Sequence, residues 1–188
     1  ATREWRSLIA YRQNLVGRRV AVQNRLRALL VAQGLRSPRG HRAWTAVGVQ
    51  GLEQFARPLA ECAPTELWRG LLTLALAEYR QVRALIVQAE AKLDALGQDN
   101  GDVQLLDTTP GLGPRTAEAI VAYLHEPQRF KTGKQVSAYV GMVPRQFQSG
   151  ETDRRGRITK RGPAILRKLL VECAWCSLRY NAWARTVY

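Results

Sequence analysis

Two long runs of helical periodicity constrain this chain most. From Arg3 to Gln33 apolar residues recur at Leu8, Tyr11, Leu15, Val22, Leu26 and Leu29, the three-and-four spacing that lays one stripe along an α-helix, and arginines cover the other faces. A second run opens near Thr65, after Pro64, and carries Leu67, Leu71, Leu74, Val82, Leu85, Ala89, Leu93 and Leu96 before Gly97 stops it. Gly34 ends the first run and Ser37-Pro38-Arg39-Gly40 marks a loop. Two such helices predict an antiparallel coiled-coil arm, formed within one subunit or between subunits.

Turn formers cluster from Gly97 to Asp102, which places a domain boundary between a helical arm at 1–97 and a second domain at 103–188. Shorter elements follow. Val103 to Thr109 reads as a short helix, Pro110-Gly111-Leu112-Gly113 as a tight turn, and Pro114 to Leu124 as a helix with proline in its first turn. Thr132-Gly133-Lys134-Gln135 has capping-box spacing and predicts a helix to about Val140. Between Met142 and Gly162 the pattern is irregular, with a short hairpin expected from arms at Arg145 to Gln148 and Arg157 to Thr159. A last helix starts after Gly162-Pro163 and runs to about Leu178. The expected fold class is mainly α: a long antiparallel arm, then a compact helical domain with a short basic loop or β-hairpin.

The chain has 188 residues, 46% of them hydrophobic, which is enough for a real core. Its net charge of +14, from 29 Lys+Arg against 15 Asp+Glu, exceeds what solubility requires and points to a polyanionic partner, nucleic acid first. No apolar run approaches the roughly 20 residues that span a bilayer. Together with three cysteines that lack a framework spacing, this reads as an intracellular, cytoplasmic protein. Cys173 and Cys176 form a C-x-x-C inside an apolar helical pattern with Ile165, Leu166, Leu169 and Leu170. Core packing is the expected role, since Cys62, His41 and His125 lie far off without ligand spacing. No metal or cofactor is expected in this chain.

Three groups of residues bear on chemistry. The pattern from Leu106 to Ala117 resembles a helix-hairpin-helix, in which Gly111 and Gly113 let backbone N–H groups approach a phosphate and Arg115 is the nearest side chain. A compact turn needing glycine for steric reasons alone is the competing account. Ser149 sits before Gly150 in a loop beside Arg145, Arg154, Arg155, Arg157, Lys160, Arg161, Arg167 and Lys168, with only Glu151 and Asp153 to oppose them. A hydroxyl is a weak nucleophile, yet guanidinium groups that hold a phosphodiester in line and neutralise its oxygens suit it to such an attack. No histidine or lysine nearby in sequence is a clear general base. Tyr123 and Tyr139 are rival nucleophiles on helices, equally explained by packing. The five tryptophans, Trp175 and Trp183 among them, suit base stacking or core filling.

The residues Pro-Gly-Leu-Gly-Pro at 110–114, Phe130, Lys134-Gln135, Ala138 to Pro144, Ser149-Gly150, Arg155 to Gly162 and Leu169 to Trp175 closely resemble the C-terminal transposase domain of insertion-sequence enzymes that carry a RuvC-like acidic domain. Piv-type DNA invertases share that layout. Tyr11-Arg12 to Leu29-Leu30 is similar to the coiled-coil region that follows the RuvC-like domain in the same family. The resemblance implies that Ser149 forms a covalent phosphoserine link with DNA. It also implies a bridge RNA that pairs with donor and target DNA, assembly as dimers or tetramers, and a composite site in which magnesium-binding carboxylates of a RuvC-like domain meet the serine of another subunit. No such acidic domain is recognisable in this sequence, so magnesium is expected at the missing domain and this chain alone is expected to be an incomplete enzyme. The alternative is a non-catalytic helix-hairpin-helix module in which the turn and the basic loop only hold nucleic acid, and a third possibility is an RNA-dependent assembly scaffold dominated by the long helices.

Overall fold

A computed structural model describes residues 2–36 and 40–187. The chain is mainly helical with one small hairpin, as the sequence predicts. The elements are α1 (Thr2–Val31), α2 (Ala46–Glu53), α3 (Leu67–Gln98), α4 (Gly101–Asp107), α5 (Pro114–Leu124), α6 (Gly133–Val140), β1 (Pro144–Ser149), β2 (Thr152–Ile158), α7 (Ala164–Tyr180) and α8 (Ala182–Val187). They group into two compact units, Arg12–Glu90 and Ala1–Tyr11 with Ala91–Tyr188. The division thus falls inside α1 and α3, while the turn formers at 97–102 separate α3 from α4.

In the unit Arg12–Glu90, Val22, Leu26 and Leu30 of α1 pack with Leu72, Ala75, Leu76 and Tyr79 of α3 and with Val49 and Leu52 of α2. Leu15 packs with Val82 and Ile86. Position numbers fall along α1 as they rise along α3, so the two helices run antiparallel within one chain. The buried stripe differs in part from the expected one. Tyr11, Leu67, Leu71 and Leu74 are exposed, and Leu30, Leu72, Leu76 and Tyr79 are buried instead. Leucine occupies positions 67, 71, 72, 74 and 76, so this stretch offers two apolar faces, and packing against α1 and α2 selects one.

Gly34 does end α1, with φ +69° and Leu35 N–H donating to Leu30 O at 3.0 Å, the pattern of a glycine-terminated helix. Of the loop expected at Ser37 to Gly40, the first three residues lie outside those described. The short helix α2 is not foreseen in the sequence. Its signal is Thr45, whose hydroxyl accepts from Gly48 N–H at 3.2 Å.

The other unit is built on Ile9, Leu93, Ala119, Ala122, Val140, Leu166 and Leu169, drawn from α1, α3, α5, α6 and α7. Asn100 caps α4 by accepting from Val103 N–H at 3.1 Å. At α6 the capping box does not form: Thr132 makes no side-chain cap, and Gln135 Oε1 accepts from the N–H of Lys131, one residue before the N-cap, at 2.7 Å. The last helix breaks at Asn181, whose side-chain oxygen accepts from the N–H groups of Trp183 and Ala184 and so starts α8.

Cys173 and Cys176 correct the packing expectation. Both are free thiols, Cys173 half-buried and Cys176 exposed. Helix α7 buries Leu166 and Leu169 in its first half, and beyond them its C-x-x-C turn leaves the core.

A candidate serine and nucleic-acid site on a cationic hairpin

The hairpin that carries Ser149 is anchored at its base and uncovered elsewhere. Gly141 ends α6 in the left-handed conformation (φ 77°, ψ 31°), and Met142 N–H donates to Ser137 O at 2.9 Å. The returning chain then crosses this corner. Thr159 N–H donates to Val143 O at 2.9 Å and Lys160 N–H to Gly141 O at 3.0 Å. The crossing is possible because both corners are glycines. A methyl on Gly141 would stand 2.0 Å from Arg161 O, and one on Gly162 would stand 1.9 Å from Tyr139 O. Arg167, in the first turns of α7, donates from Nη1 to Val140 O at 2.8 Å, a cation at the C-terminal end of α6.

From this base β1 and β2 run out as an antiparallel ribbon. Its pairing joins Pro144 with Ile158, Gln146 with Arg155, Phe147 with Arg154, Gln148 with Asp153 and Ser149 with Thr152, and a bulge lies between Pro144 and Gln146. The second arm therefore begins at Thr152, five residues earlier than the Arg157 start the sequence suggested, because the irregular charge pattern hid the alternation. Ser149 is the last residue of β1, exposed, at a two-residue turn of Gly150 and Glu151. Gly150 has φ +57° and Glu151 does not have a positive φ, the sign combination of a type II′ hairpin turn. All of β1 is exposed, so neither face of the ribbon is covered by another described element.

Residues opposite one another share a face, and alternate residues along one strand do too. Ser149 therefore shares its face with Phe147, Arg145 and Arg154. The space above Gly156 belongs to the same face, since a methyl there would lie 2.9 Å from the Phe147 ring and 3.6 Å from Arg145 Cβ. Gln146, Gln148, Asp153 and Arg155 form the other face, where Gln146 Nε2 lies 3.3 Å from Gln148 Oε1 and 3.4 Å from Asp153 Oδ1.

The basic residues gathered in the sequence sort into two groups. Arg167 is bound to Val140 O, and Lys168 lies 3.7 Å from Glu172 on its own helix. Arg145, Arg154, Arg155, Arg157, Lys160 and Arg161 are exposed and form no ion pair with any described residue, whereas Arg12, Arg25, Arg57, Arg69 and Arg80 all do. Lys160 is also held at φ +55°, an uncommon conformation for a side-chain-bearing residue.

The other candidates are placed differently. α4, the turn and α5 form two helices around Gly111 to Gly113, as expected. The open side of Gly111 is filled from within the chain, since a methyl there would stand 2.7 Å from Ser177 Cα and 2.8 Å from Ser177 N. Gly113 has open space around it and caps α5 with Pro114 in the first turn. Arg115 is only 19% exposed and is engaged by Asp94 and, at 2.9 Å, by buried Glu118. Its guanidinium is thus bound to carboxylates of the same unit.

The rival tyrosines are occupied by packing. Tyr139 donates its hydroxyl to Tyr123 O at 3.0 Å and packs at a tilt of 58° against Phe130, ring centres 5.4 Å apart, with Arg129 4.8 Å over its ring. Burial pushes the Tyr123 phenol above its ordinary 10.0, opposed by Arg6 and reinforced by Tyr139, which makes it a poorer source of phenolate. His125 ends α5 at φ 59°, ψ −71°, in a tight turn closed by Glu126 N–H to Leu124 O at 2.8 Å. It lines a cleft of about 580 Å³ with Trp5, Leu8, Leu96 and Val121, and no hairpin residue lines that cleft. Among the described residues no group of His, Cys, Asp or Glu is placed to hold a metal ion, and no helix is long and apolar enough to cross a membrane.

Residues 103–188 match the profile of the Transposase IS116/IS110/IS902 family. Relatives extend the similarity over nearly the whole chain. A probable family 20 transposase of Pseudomonas aeruginosa is 34% identical over 174 residues, covering 92% of this chain and 50% of the relative. The transposase for insertion sequence element IS1111A of Coxiella burnetii is 32% identical over 181 residues, covering 93% and 46%. That for insertion sequence element IS1328 of Yersinia enterocolitica is 32% identical over 164 residues, covering 87% and 46%. The chain spans about half the length of the curated relatives it matches.

Proposed function

We propose that this chain, whose residues 103–188 match the Transposase IS116/IS110/IS902 family, is the strand-exchange part of an insertion-sequence transposase in which Ser149 is the nucleophile. The observation that carries the reading is the placement of Ser149 at the exposed tip of a ribbon bearing Arg145, Arg154, Arg155 and Arg157, with Lys160 and Arg161 just past the end of its second strand, none of them ion-paired among the described residues. In this reaction Ser149 Oγ forms a bond to a DNA phosphorus as the bond to one sugar oxygen breaks. The serine proton is lost and the leaving oxygen gains one. Arg154 and Arg145, on the serine's face, hold the phosphate and offset charge building on its oxygens. Arg155, Arg157, Lys160 and Arg161 grip flanking backbone. A two-stranded ribbon fits the major groove of duplex DNA, which supports the same partner.

The whole protein would act with donor and target DNA and a bridge RNA, as a dimer or tetramer in the cytoplasm. Among the described residues no carboxylates are placed to hold magnesium; we assign it to carboxylates of a RuvC-like domain of the whole protein, where it would supply Lewis-acid stabilisation of the reacting phosphate.

The test uses the intact transposase with its guide RNA, magnesium and target DNA. Ser149→Ala is expected to bind DNA as the parent does and to form no covalent protein–DNA adduct on a denaturing gel. An undiminished adduct would remove Ser149 from the reaction. Binding without any adduct in the parent protein would favour a purely nucleic-acid-binding role.

A further inference from the structure

We propose that Phe147 is a base-stacking residue that holds the nucleotide beside the phosphate engaged by Ser149; the assignment rests on the reading of Ser149 given above. Three observations meet at this side chain. The residue is 59% exposed on a ribbon with no second layer, so its ring is open to a ligand. It is also held in place, because its edge occupies the space over Gly156, where a methyl would come within 2.9 Å of Cε2. And its surroundings are cationic. Arg154 lies directly opposite, Arg145 shares the face, and neither pairs with a carboxylate among the described residues, while Asp153 is on the other face. An aromatic ring flanked by guanidinium groups suits a nucleic acid, whose bases offer a π-face and whose phosphates offer charge.

Alternate residues of a β-strand stand about 6.8 Å apart on one face. A base on the Phe147 ring and a phosphate at Ser149 can therefore be neighbouring parts of one strand.

The test measures binding of the 188-residue chain to a short single-stranded oligonucleotide containing 2-aminopurine, and to a matched strand of abasic sugar phosphates. The wild-type chain is expected to quench the 2-aminopurine, and Phe147→Ala to lose the quenching. Phe147→Ala is also expected to bind the base-containing strand roughly 5- to 100-fold more weakly, while binding the abasic strand like wild type with the same salt slope. Phe147→Trp should keep both properties. Phe147→Leu, which retains an apolar side chain over Gly156 but no π-face, should behave like the alanine variant. Equal affinity and equal quenching for wild type, Phe147→Leu and Phe147→Ala would overturn the assignment. The two readings fail separately: a persistent adduct in Ser149→Ala removes the nucleophile and leaves the stacking result standing, and unchanged quenching in Phe147→Ala does the reverse.

Discussion

Phe147 and Arg154 face each other directly across the hairpin, and since Ser149 lies two residues past Phe147 on the same strand, Arg154 belongs to the serine's face. Arg155, one residue on, faces Gln146 and projects from the opposite side. Adjacent arginines are thus predicted to act differently. In the intact transposase Arg154→Gln should slow phosphoserine formation at saturating DNA by roughly 100-fold, the usual effect of removing one charge-stabilising donor. Arg155→Gln should weaken binding and leave the saturated rate near that of the parent. Each substitution should lower the slope of log affinity against log salt on duplex DNA by about 0.9. Single-turnover adduct formation beside a salt titration separates the two effects, and equal rate losses would contradict the facing assignment.

The two glycines at the base of the ribbon yield a stability prediction. Gly141→Ala or Gly162→Ala drives a methyl into backbone at 2.0 or 1.9 Å and also asks alanine to adopt a positive φ, 77° or 91°. Each is expected to cost about 2–4 kcal/mol in denaturant unfolding. Gly150→Ala is the control. It carries a positive φ of 57° with nothing within 4 Å, so only the backbone term applies, about 1–2 kcal/mol.

The tyrosines provide a pH test. Burial raises the Tyr123 phenol above 10.0, so the folded state holds its proton longer than the unfolded chain does. The stability this contributes is fully present below pH 10 and is lost as pH rises through the folded value. A phenolate absorbance titration should show a late step above pH 10.0 that belongs to Tyr123. Tyr123→Phe should delete that late step, and a titration unchanged in the variant would refute it.

Much of this fold is written in local signals, and the misses have identifiable causes. Gly34, Pro114 and Pro163 mark helix ends that the structure keeps, because backbone restriction acts without help from distant residues. The buried face of α3 was not legible near Leu71 to Leu76, where two apolar faces compete and only the packing partner decides. Ser149 and its cations were visible as a cluster, but strand register is a two-residue property, and the early start of β2 at Thr152 determines which arginines share a face with the serine. The engagement of Arg115 was invisible for a different reason: Asp94 lies 21 positions away on another helix.

That engagement leads to a prediction that separates a structural role from a phosphate-binding one. Glu118 is 1% exposed and has the Arg115 guanidinium 2.9 Å from Oε1, with Asp94 on the same guanidinium. Removing one member of a buried pair leaves the other charge in a poorly solvated site, which typically costs about 3–5 kcal/mol. Arg115→Met should therefore destabilise the protein by about that much. Adding Glu118→Gln, which removes the carboxylate charge while keeping the shape, should recover a good part of the loss. If Arg115 only supports the fold, the double variant should bind duplex DNA with the parent's salt slope at temperatures where both are folded. If it grips a phosphate at the Gly111–Gly113 turn, the slope should fall by about 0.9 and Glu118→Gln should not restore it. Because the guanidinium is already committed to two carboxylates, the unchanged slope is the expected result.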